Sequence, residues 1–413
     1  MTLIEIYDRS PLQNIATCLA VRPDRVVLVG SDPDLETVAD RYRTLLKKRH
    51  LSIAVDTHRI DAVAFDDVLE AFVALIQAHT PCTIDLFGGN ETYLAAAGAA
   101  YHQLKGSCHV TLQQMNIHCG AVMTIDDEPI DTVGNPPLLS VKESVALHGG
   151  VVFSEETSRL DRCTSADITP LWNLAKSDPT LWNKKLRALN FFETHSGCGR
   201  DALCVTVDLS QPCHGSSIPA ESHHLFCEML EDLERIGAVT IEQRRNDRYC
   251  YRYARRWVRD CLEKAGNVLE YKTLLMAREY APNGKRFFND CRMGVTLDWD
   301  GVLHNPNGPD VQDTRNEIDV MAMRGVIPIF ISCKNGSIEE EELYKLNTVA
   351  DRLGGKFAKM ALVATDYEPA SAATKQSQMQ RAKDMHVLFE ADAATFDDED
   401  WHRFFDRIFE ETF

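Results

Sequence analysis

Over the first 150 positions, apolar residues fall in short runs separated by stretches with helical spacing. Leu3–Tyr7, Val26–Gly30, Ser52–Asp56, Cys82–Phe87 and His109–Gln113 have the length and composition of strands. Leu35–Lys48 and Thr92–Leu104 repeat their apolar positions at the period of a helix. The alternation predicts an α/β unit with a doubly wound, mostly parallel sheet. Sheets of this kind bind ligands beyond the carboxyl ends of their strands. Three segments fall there: Asp8-Arg9-Ser10-Pro11-Leu12-Gln13, Gly30-Ser31-Asp32-Pro33-Asp34, and Phe87-Gly88-Gly89-Asn90-Glu91-Thr92. In the third, the glycines permit close backbone approach, and Asn90 suits the cap of a helix whose free amides would attract a phosphate. The same residues also suit an ordinary tight turn. Neither a G-x-G-x-x-G nor a Walker loop is present, so dinucleotide or triphosphate binding has little support.

The rhythm changes over residues 151–262. Two helical patches, Ile168–Phe192 and His223–Ile236, flank a Gly/Cys/Ser/Pro-rich stretch from Ser196 to Pro219. The run Gly237–Glu242 then leads through Asn246-Asp247 into Tyr249–Tyr253. Helix, strand, turn, strand resembles a winged helix, which serves either as a nucleic-acid reader or as a spacer. The third unit, residues 263–413, opens on a helix containing Glu270. It continues with a strand at Gly294–Asp298, a hairpin, a helix over Glu339–Leu353 closed by Gly354-Gly355, and strands at Ala361–Thr365 and His386–Glu390.

That hairpin carries the most specific chemistry. Asn316-Glu317-Ile318-Asp319-Val320 and Ile327–Lys334 are apolar strands joined at Gly325. Alternation places Glu317 and Asp319 on one face of the first, and Ser332 and Lys334 on one face of the second. An acid and a lysine from neighbouring strands suit cleavage of a phosphodiester with a divalent metal. The acid holds the ion, and the lysine positions water or offsets developing charge. The bland alternative is a buried hairpin whose Asp319 and Lys334 simply pair.

Composition narrows the field. A chain of 413 residues with 44% hydrophobic and 26% charged residues is expected to form two or three packed domains. No apolar run has bilayer-spanning length, and the chain opens directly on a strand without a signal-peptide pattern, so a cytoplasmic location is expected. The 13 scattered cysteines, with no C-x-x-C pair, are then expected to be reduced. Cys198, Cys204, Cys213, His214, His223, His224 and Cys227 crowd together at spacings that fit no common zinc pattern. A net charge of −18 argues against a surface that coats nucleic acid, yet allows a local basic patch. Arg244, Arg245, Arg248, Arg252, Arg255, Arg256 and Arg259, interleaved with Tyr249, Tyr251, Tyr253 and Trp257, form such a patch. It is either a contact for unpaired nucleic acid or a solvated face.

Two resemblances compete in the C-terminal unit. Val295-Thr296-Leu297-Asp298-Trp299-Asp300-Gly301-Val302-Leu303 looks like the first motif of haloacid-dehalogenase-type phosphatases, where the first Asp is a nucleophile and the second an acid/base. The hairpin, preceded by a helix carrying Glu270, resembles the core of the PD-(D/E)xK nucleases, with Ser332 standing where a second acid is expected. A neutral hydroxyl is a weaker metal ligand, so Glu317, Glu270 or the Cys333 carbonyl would have to complete the shell.

Taken with Gly88–Thr92, Gly266-Asn267-Val268-Leu269-Glu270, Ser332-Cys333-Lys334-Asn335-Gly336 and Gly354-Gly355-Lys356-Phe357, the three-part order resembles the CARF-domain nucleases of type III CRISPR systems, close to the Card and Can group. The resemblance implies antiviral defence by a homodimer that binds a cyclic oligoadenylate, most often cyclic tetra-adenylate, across its two-fold axis. Ligand contacts would fall on Ser10, Pro11, Gln13, Ser31, Asp32, Gly88, Gly89, Asn90, Glu91 and Thr92. Glu270, Asp319 and Lys334 would take the catalytic places beside Glu317 and Ser332. Mn²⁺ or Mg²⁺ would be the metal, and a nucleic acid the substrate. A ligand-controlled transcription regulator with an inactive last domain is the other class left open.

Overall fold

The computed structural model describes residues 1–7, 9–62, 64–126, 128–130, 132, 137–199, 201–210, 221–301, 315–336, 338, 340–365 and 372–410. The first unit runs β1 (Thr2–Ile6), α1 (Pro11–Val21), β2 (Arg25–Gly30), α2 (Leu35–Lys48), β3 (Ala54–Arg59), α3 (Phe65–His79), β4 (Cys82–Asp85), α4 (Glu91–Leu104), β5 (Val110–Asn116) and β6 (Ala121–Thr124). Its sheet has the order β3-β2-β1-β4-β5-β6, parallel except for β6. Strand order therefore reverses between β1 and β4, the switch point beyond whose carboxyl ends sheets of this kind place their ligand crevice. The expected α/β class and the five expected strands are present. The loop expected through Gln13 is shorter, because Pro11 opens α1: its preset φ and missing N–H suit a first helical position.

Helix α5 (Val141–Leu147), started by a Ser140/Glu143 capping box, leads to β7 (Val151–Ser154). The middle unit follows with α6 (Ser165–Ser177), α7 (Pro179–His195), β8 (Cys204–Asp208), α8 (Ser222–Arg235), β9 (Val239–Arg245), β10 (Arg248–Tyr253) and α9 (Arg256–Cys261). The patch expected over Ile168–Phe192 is two helices. Pro179 cannot continue α6, and Asp178 caps α7 by accepting from the Leu181 amide at 2.8 Å. Strands β8, β10 and β9 form an antiparallel sheet in that order, adding one strand to the expected hairpin.

The last unit contains α10 (Asn267–Glu279), β11 (Asp290–Asp298), β12 (Arg315–Arg324), β13 (Ile327–Lys334), α11 (Glu340–Gly354), β14 (Lys359–Ala364), α12 (Ala372–Asp384), β15 (Val387–Glu390) and α13 (Asp398–Glu410). Its sheet order is β15-β14-β13-β12-β11-β7. Residues 151–154, placed by the sequence at the start of the middle unit, are thus the edge strand of this sheet, pairing antiparallel with Thr296–Asp298. The chain enters the C-terminal sheet, leaves to build the middle unit, and returns. Trp172 on α6 and Trp401 on α13 are both buried, with rings 6.3 Å apart, and tie the middle unit to the last.

The first and last units meet closely. Leu139 N–H donates to Gly325 O at 2.9 Å, and the Phe87 and Phe357 rings lie 5.6 Å apart. A Cβ at Gly355 would sit 3.4 Å from Ser10 Oγ, so the turn after α11 rests on the loop at the β1 end. Among the described residues no helix is long and apolar enough to cross a membrane.

Removing the Trp401 ring would leave a cavity where α13 meets α6. Trp401→Ala is expected to cost about 3–5 kcal/mol, read as a lower urea midpoint for the first unfolding transition.

Candidate functional site

Strands β12 and β13 pair from Arg324↔Ile327 to Val320↔Ile331 and then part. Beyond that point Asn316–Ile318 pair only with β11, whereas Ser332–Lys334 pair with β14. Asp319 sits at the fork. Its Oδ2 accepts the Cys333 amide at 2.6 Å and the Ser332 hydroxyl at 3.2 Å. A carboxylate this buried needs donors, and the parting strands release the amide that supplies one.

Glu270 comes to the same place from the first turn of α10, where the helix dipole favours an acid. Burial, then the nearby Asp319 and Glu317 carboxylates, push Glu270 up to about 8. Burial also raises Asp319, although Lys334, the Cys333 amide and Ser332 pull it back. Burial lowers Lys334, but Asp319 and Glu342 outweigh it, and the ammonium ends above the ordinary lysine range. Its Nζ lies 2.9 Å from Glu342 Oε2 on α11. Glu317 stands at the rim, its side chain 51% exposed and 3.9 Å from Lys264.

Glu270, Asp319, Ser332, Cys333 and Lys334 are therefore brought together, with Glu317 beside them. The Cys333 contact found is its amide, while its thiol lies 3.7 Å from Thr273 Oγ1. Two positioning residues were not read from the sequence. One is Glu342, whose partner Lys334 is eight positions away on a different element. The other is Asn335, which accepts from Thr365 Oγ1 at 2.6 Å and donates to Asn183 Oδ1 at 2.6 Å, pinning the strand end after Lys334. Its place directly after the lysine was the only local signal.

The donor set fits a hard divalent cation. Carboxylate oxygens are its preferred ligands, and the acid charge here exceeds what Lys334, shared with Glu342, neutralises. Among the described residues the three acids are not drawn within 4.8 Å of one another, so the fit is to Asp319 and Glu270 rather than to a closed three-acid cage.

The phosphatase resemblance fails on topology. Asp298 ends β11, whose neighbours β7 and β12 are both antiparallel to it. A nucleophile of that class needs the carboxyl end of a parallel strand in a Rossmann-like sheet. Val302 and Leu303 of the motif lie outside the described residues.

In the first unit the three expected segments gather at the ends of β1, β2 and β4. Asp8 lies outside the described residues. Ser10 precedes Pro11 at the start of α1, and Gln13 Nε2 donates to Phe87 O, joining the first and third loops. Asn14 Nδ2 donates to Ile6 O at 3.0 Å and to Glu5 Oε2 at 2.9 Å. A Cβ on Gly88 would lie 2.5 Å from Ile6 O and 2.9 Å from Asn14 Nδ2, so only glycine fits. Gly89 has φ +106°, and Asn90 caps α4 by accepting from Tyr93 N–H at 3.0 Å. Glu91 and Thr92 are exposed on the first turn of α4, and Ser31 is exposed at the β2 end. Asp32 accepts the Asp34 amide at 2.8 Å and lies 3.6 Å from Arg9. Beneath the crevice, Glu5 and Asp85 face each other across β1 and β4, both fully buried. Burial raises both, Asp85 to about 7. As acids inside apolar strands, they were a signal the sequence reading passed over.

The basic patch of the middle unit is corrected. Tyr249, Tyr251 and Tyr253 are buried, because alternation along β10 turns them to the face opposite Arg248 and Arg252. The Arg244 guanidinium lies 5.3 Å from the Tyr249 ring, but the buried rings offer no open stacking platform. Arg244 pairs with Glu231 at 2.9 Å and Arg252 with Glu242 at 2.7 Å, leaving Arg245 and Arg248 exposed at the hairpin turn. The expected cysteine–histidine crowd does not converge either. His224 pairs with Glu228 at 3.1 Å, His223 packs on Phe192, and Cys227 faces Tyr249 Oη at 3.1 Å. Cys198 contacts the Cys204 carbonyl at 3.4 Å, and Cys213 and His214 lie outside the described residues.

No family model and no curated protein matches the chain. Solved structures do. Protein VC1899 from Vibrio cholerae is 16% identical with a TM-score of 0.70, over 100% of this chain and 97% of that one. Can2 from Sulfobacillus thermosulfidooxidans, solved in complex with cyclic tetra-adenylate, is 13% identical with a TM-score of 0.64, over 98% of this chain and 96% of that one. At these identities the likeness is one of fold. The resemblance to the Can group that the motifs carry is present in the fold along nearly the whole chain.

Glu270 sets a pH dependence in the metal-free protein. Between its ordinary value of 4.5 and about 8 the folded state keeps a proton that the unfolded chain loses, so stability falls as pH rises through that window. Glu270→Gln is expected to gain about 1–2 kcal/mol over the parent at pH 8 relative to pH 5, measured by urea denaturation with chelator present.

Proposed function

We propose that the protein is a nuclease whose C-terminal fork cleaves nucleic-acid phosphodiesters, switched on by a cyclic oligoadenylate in the N-terminal crevice. The observation that carries this reading is the convergence of Asp319, Glu270 and Lys334 at one fork in a sheet. Asp319 and Glu270, with the Cys333 carbonyl, would hold Mg²⁺ or Mn²⁺. When bound, that ion polarises the phosphate and lowers the pKa of a water. Lys334 keeps its proton and so presents a fixed positive charge to a phosphate that gains negative charge as it is attacked. Ser332 orients Asp319 through its hydroxyl, in the place of the absent second acid. Arg245 and Arg248, on the exposed turn, are the arginines best placed to meet the substrate backbone, with Arg244 and Arg252 held by their own acids.

In the first unit, Ser10, Pro11, Gln13, Ser31, Asp32 and Gly88 to Thr92 would contact the ring, with cyclic tetra-adenylate the first choice because Can2 was solved with it. A symmetric ring is best met by a homodimer presenting the same loops twice. Glu91 places a negative charge near the expected phosphates and would select against the most highly charged poses. The fold offers a route between the sites. Helix α11 carries Glu342, on Lys334, near one end and the Gly355–Phe357 turn, against Ser10 and Phe87, at the other. A ring that moves the crevice loops would shift α11 and with it the partner of Lys334. It can do so only to the extent that it binds the shifted state more tightly. A DNA-reading role for the middle unit finds less support, since α8 carries Glu228, Glu231, Asp232 and Glu234.

The test is cleavage of plasmid, single-stranded DNA and RNA, with Mg²⁺ or Mn²⁺, with and without rings of several sizes. Ring-dependent cleavage is expected, and cleavage indifferent to every ring removes the switch. Lys334→Ala should lose about 10²–10³-fold in rate, and full activity in that variant removes the site.

Phe357→Ala separates the route from the chemistry. It should leave ring-free cleavage unchanged and reduce the ring's stimulation severalfold, measured as the ratio of initial rates with and without ring.

A further inference from the structure

The outer face of the middle sheet holds a group of side chains that the nuclease reading does not use. Cys204 on β8, Glu242 on β9 and Cys250 on β10 each send one donor atom to a common point, one from every strand of the sheet. The two sulfurs are 3.8 Å apart, and Glu242 Oε2 lies 3.7 Å from Cys204 Sγ and 3.8 Å from Cys250 Sγ. A tetrahedral ion with arms of about 2.3 Å to sulfur and about 2.0 Å to oxygen has edges of about 3.8 and 3.5 Å. The three donors already approximate one face of that tetrahedron.

The backbone explains the convergence. Val205, Val207, Tyr249, Tyr251 and Tyr253 face the core, so alternation turns Cys204 and Cys250 outward. The register of β9 on β10 slips between Cys250 and Tyr251, leaving Glu242 as the extra residue of a bulge. Bulges re-aim side chains. Arg252 holds Glu242 Oε1 at 2.7 Å, which leaves Oε2 to the thiols. The charges also close: two thiolates and one carboxylate are offset by a divalent ion and the Arg252 guanidinium.

We propose that Cys204, Glu242 and Cys250 form a binding site for a thiophilic divalent cation of the zinc class. The fourth position opens to solvent and takes water. The site clips β8 to the hairpin beside it, and its sulfur donors set it apart from the oxygen donors at the fork. Both thiols lose their protons to solvent as their sulfurs bind the ion, so binding releases protons and strengthens with pH.

The test uses the reduced full-length protein titrated with Co²⁺, whose thiolate charge-transfer absorption reports sulfur ligation and not carboxylates. One equivalent is expected, displaced by Zn²⁺. Cys204→Ser and Cys250→Ser should each abolish the bands, and Glu242→Gln should weaken binding at least tenfold. Cys119→Ser, an exposed thiol of the first unit, should change nothing. Far-UV circular dichroism checks each fold. If a cysteine variant unfolds, Glu242→Gln carries the decision alone, and unchanged affinity in it overturns the proposal. Absence of the bands in the parent, their persistence in the double Cys204→Ser/Cys250→Ser variant, or a Cys204–Cys250 disulfide in the freshly purified protein would each overturn it as well.

Discussion

One hydrogen bond organises the C-terminal site: the Cys333 amide given to Asp319 where β12 and β13 part. In an unbroken ladder that amide would face a carbonyl, and an acid at position 319 would be buried without a donor. Parting the strands exchanges a backbone acceptor for a carboxylate. The exchange does two things at once. It satisfies a buried acid, and it opens a gap at a sheet end whose floor is rigid on both sides, since β11 and β14 hold the separated halves. A site that must keep like charges together needs such a floor, because repulsion between Glu270, Asp319 and Glu317 would otherwise spread it.

The same crowding explains why Lys334 is doubly engaged. Its ammonium is drawn by Asp319 and held by Glu342, and Asn335 fixes the strand just beyond it. Glu342 lies on a helix of 15 residues, about 22 Å long at 1.5 Å per residue. The far end of that helix turns against Ser10 and Phe87. A helix thus spans the distance between the loops at the β1 and β4 ends and the lysine of the fork. Packed helices shift as bodies rather than bend, so a small displacement at one end is transmitted to the other.

What was legible in the sequence followed from periodicity and from residue pairs close along the chain. The strands of the first unit, the β12–β13 hairpin and the three crevice loops all announce themselves within windows of ten residues or so. The edge strand Val151–Ser154 did not, because its partner Thr296–Asp298 lies more than 140 positions away and four residues carry little pattern. Asp319 and Lys334 could be paired from the hairpin alone, whereas Glu342 required knowing how α11 packs. The tyrosines of β10 were misread for a related reason. Interleaving with arginine looks like a mixed surface in one dimension, yet on a strand it is the signature of two faces, one buried and one wet. The cysteines went astray in the same way: Cys204 meets Cys250 across a ladder and Glu242 through a bulge, neither of which leaves a spacing rule in the chain.

A net charge of −18 bears on all of this. An acidic protein repels a polyanion at long range, so the proposed nucleic-acid substrate would have to be held by short-range contacts where positive charge is fixed. Arg235, Arg244, Arg252 and Arg256 of the middle unit are each paired with an acid, which weakens their field outside the protein. Productive approach would then depend on Arg245 and Arg248, exposed at the hairpin turn, and on positive charge brought into the fork by the proposed metal. For the nuclease proposed above, in a cell full of nucleic acid, this would be a sensible resting condition. On that proposal, weak background attraction would keep the idle enzyme off DNA and RNA, and engagement would fall to a site completed only when its cation and its regulator are both in place.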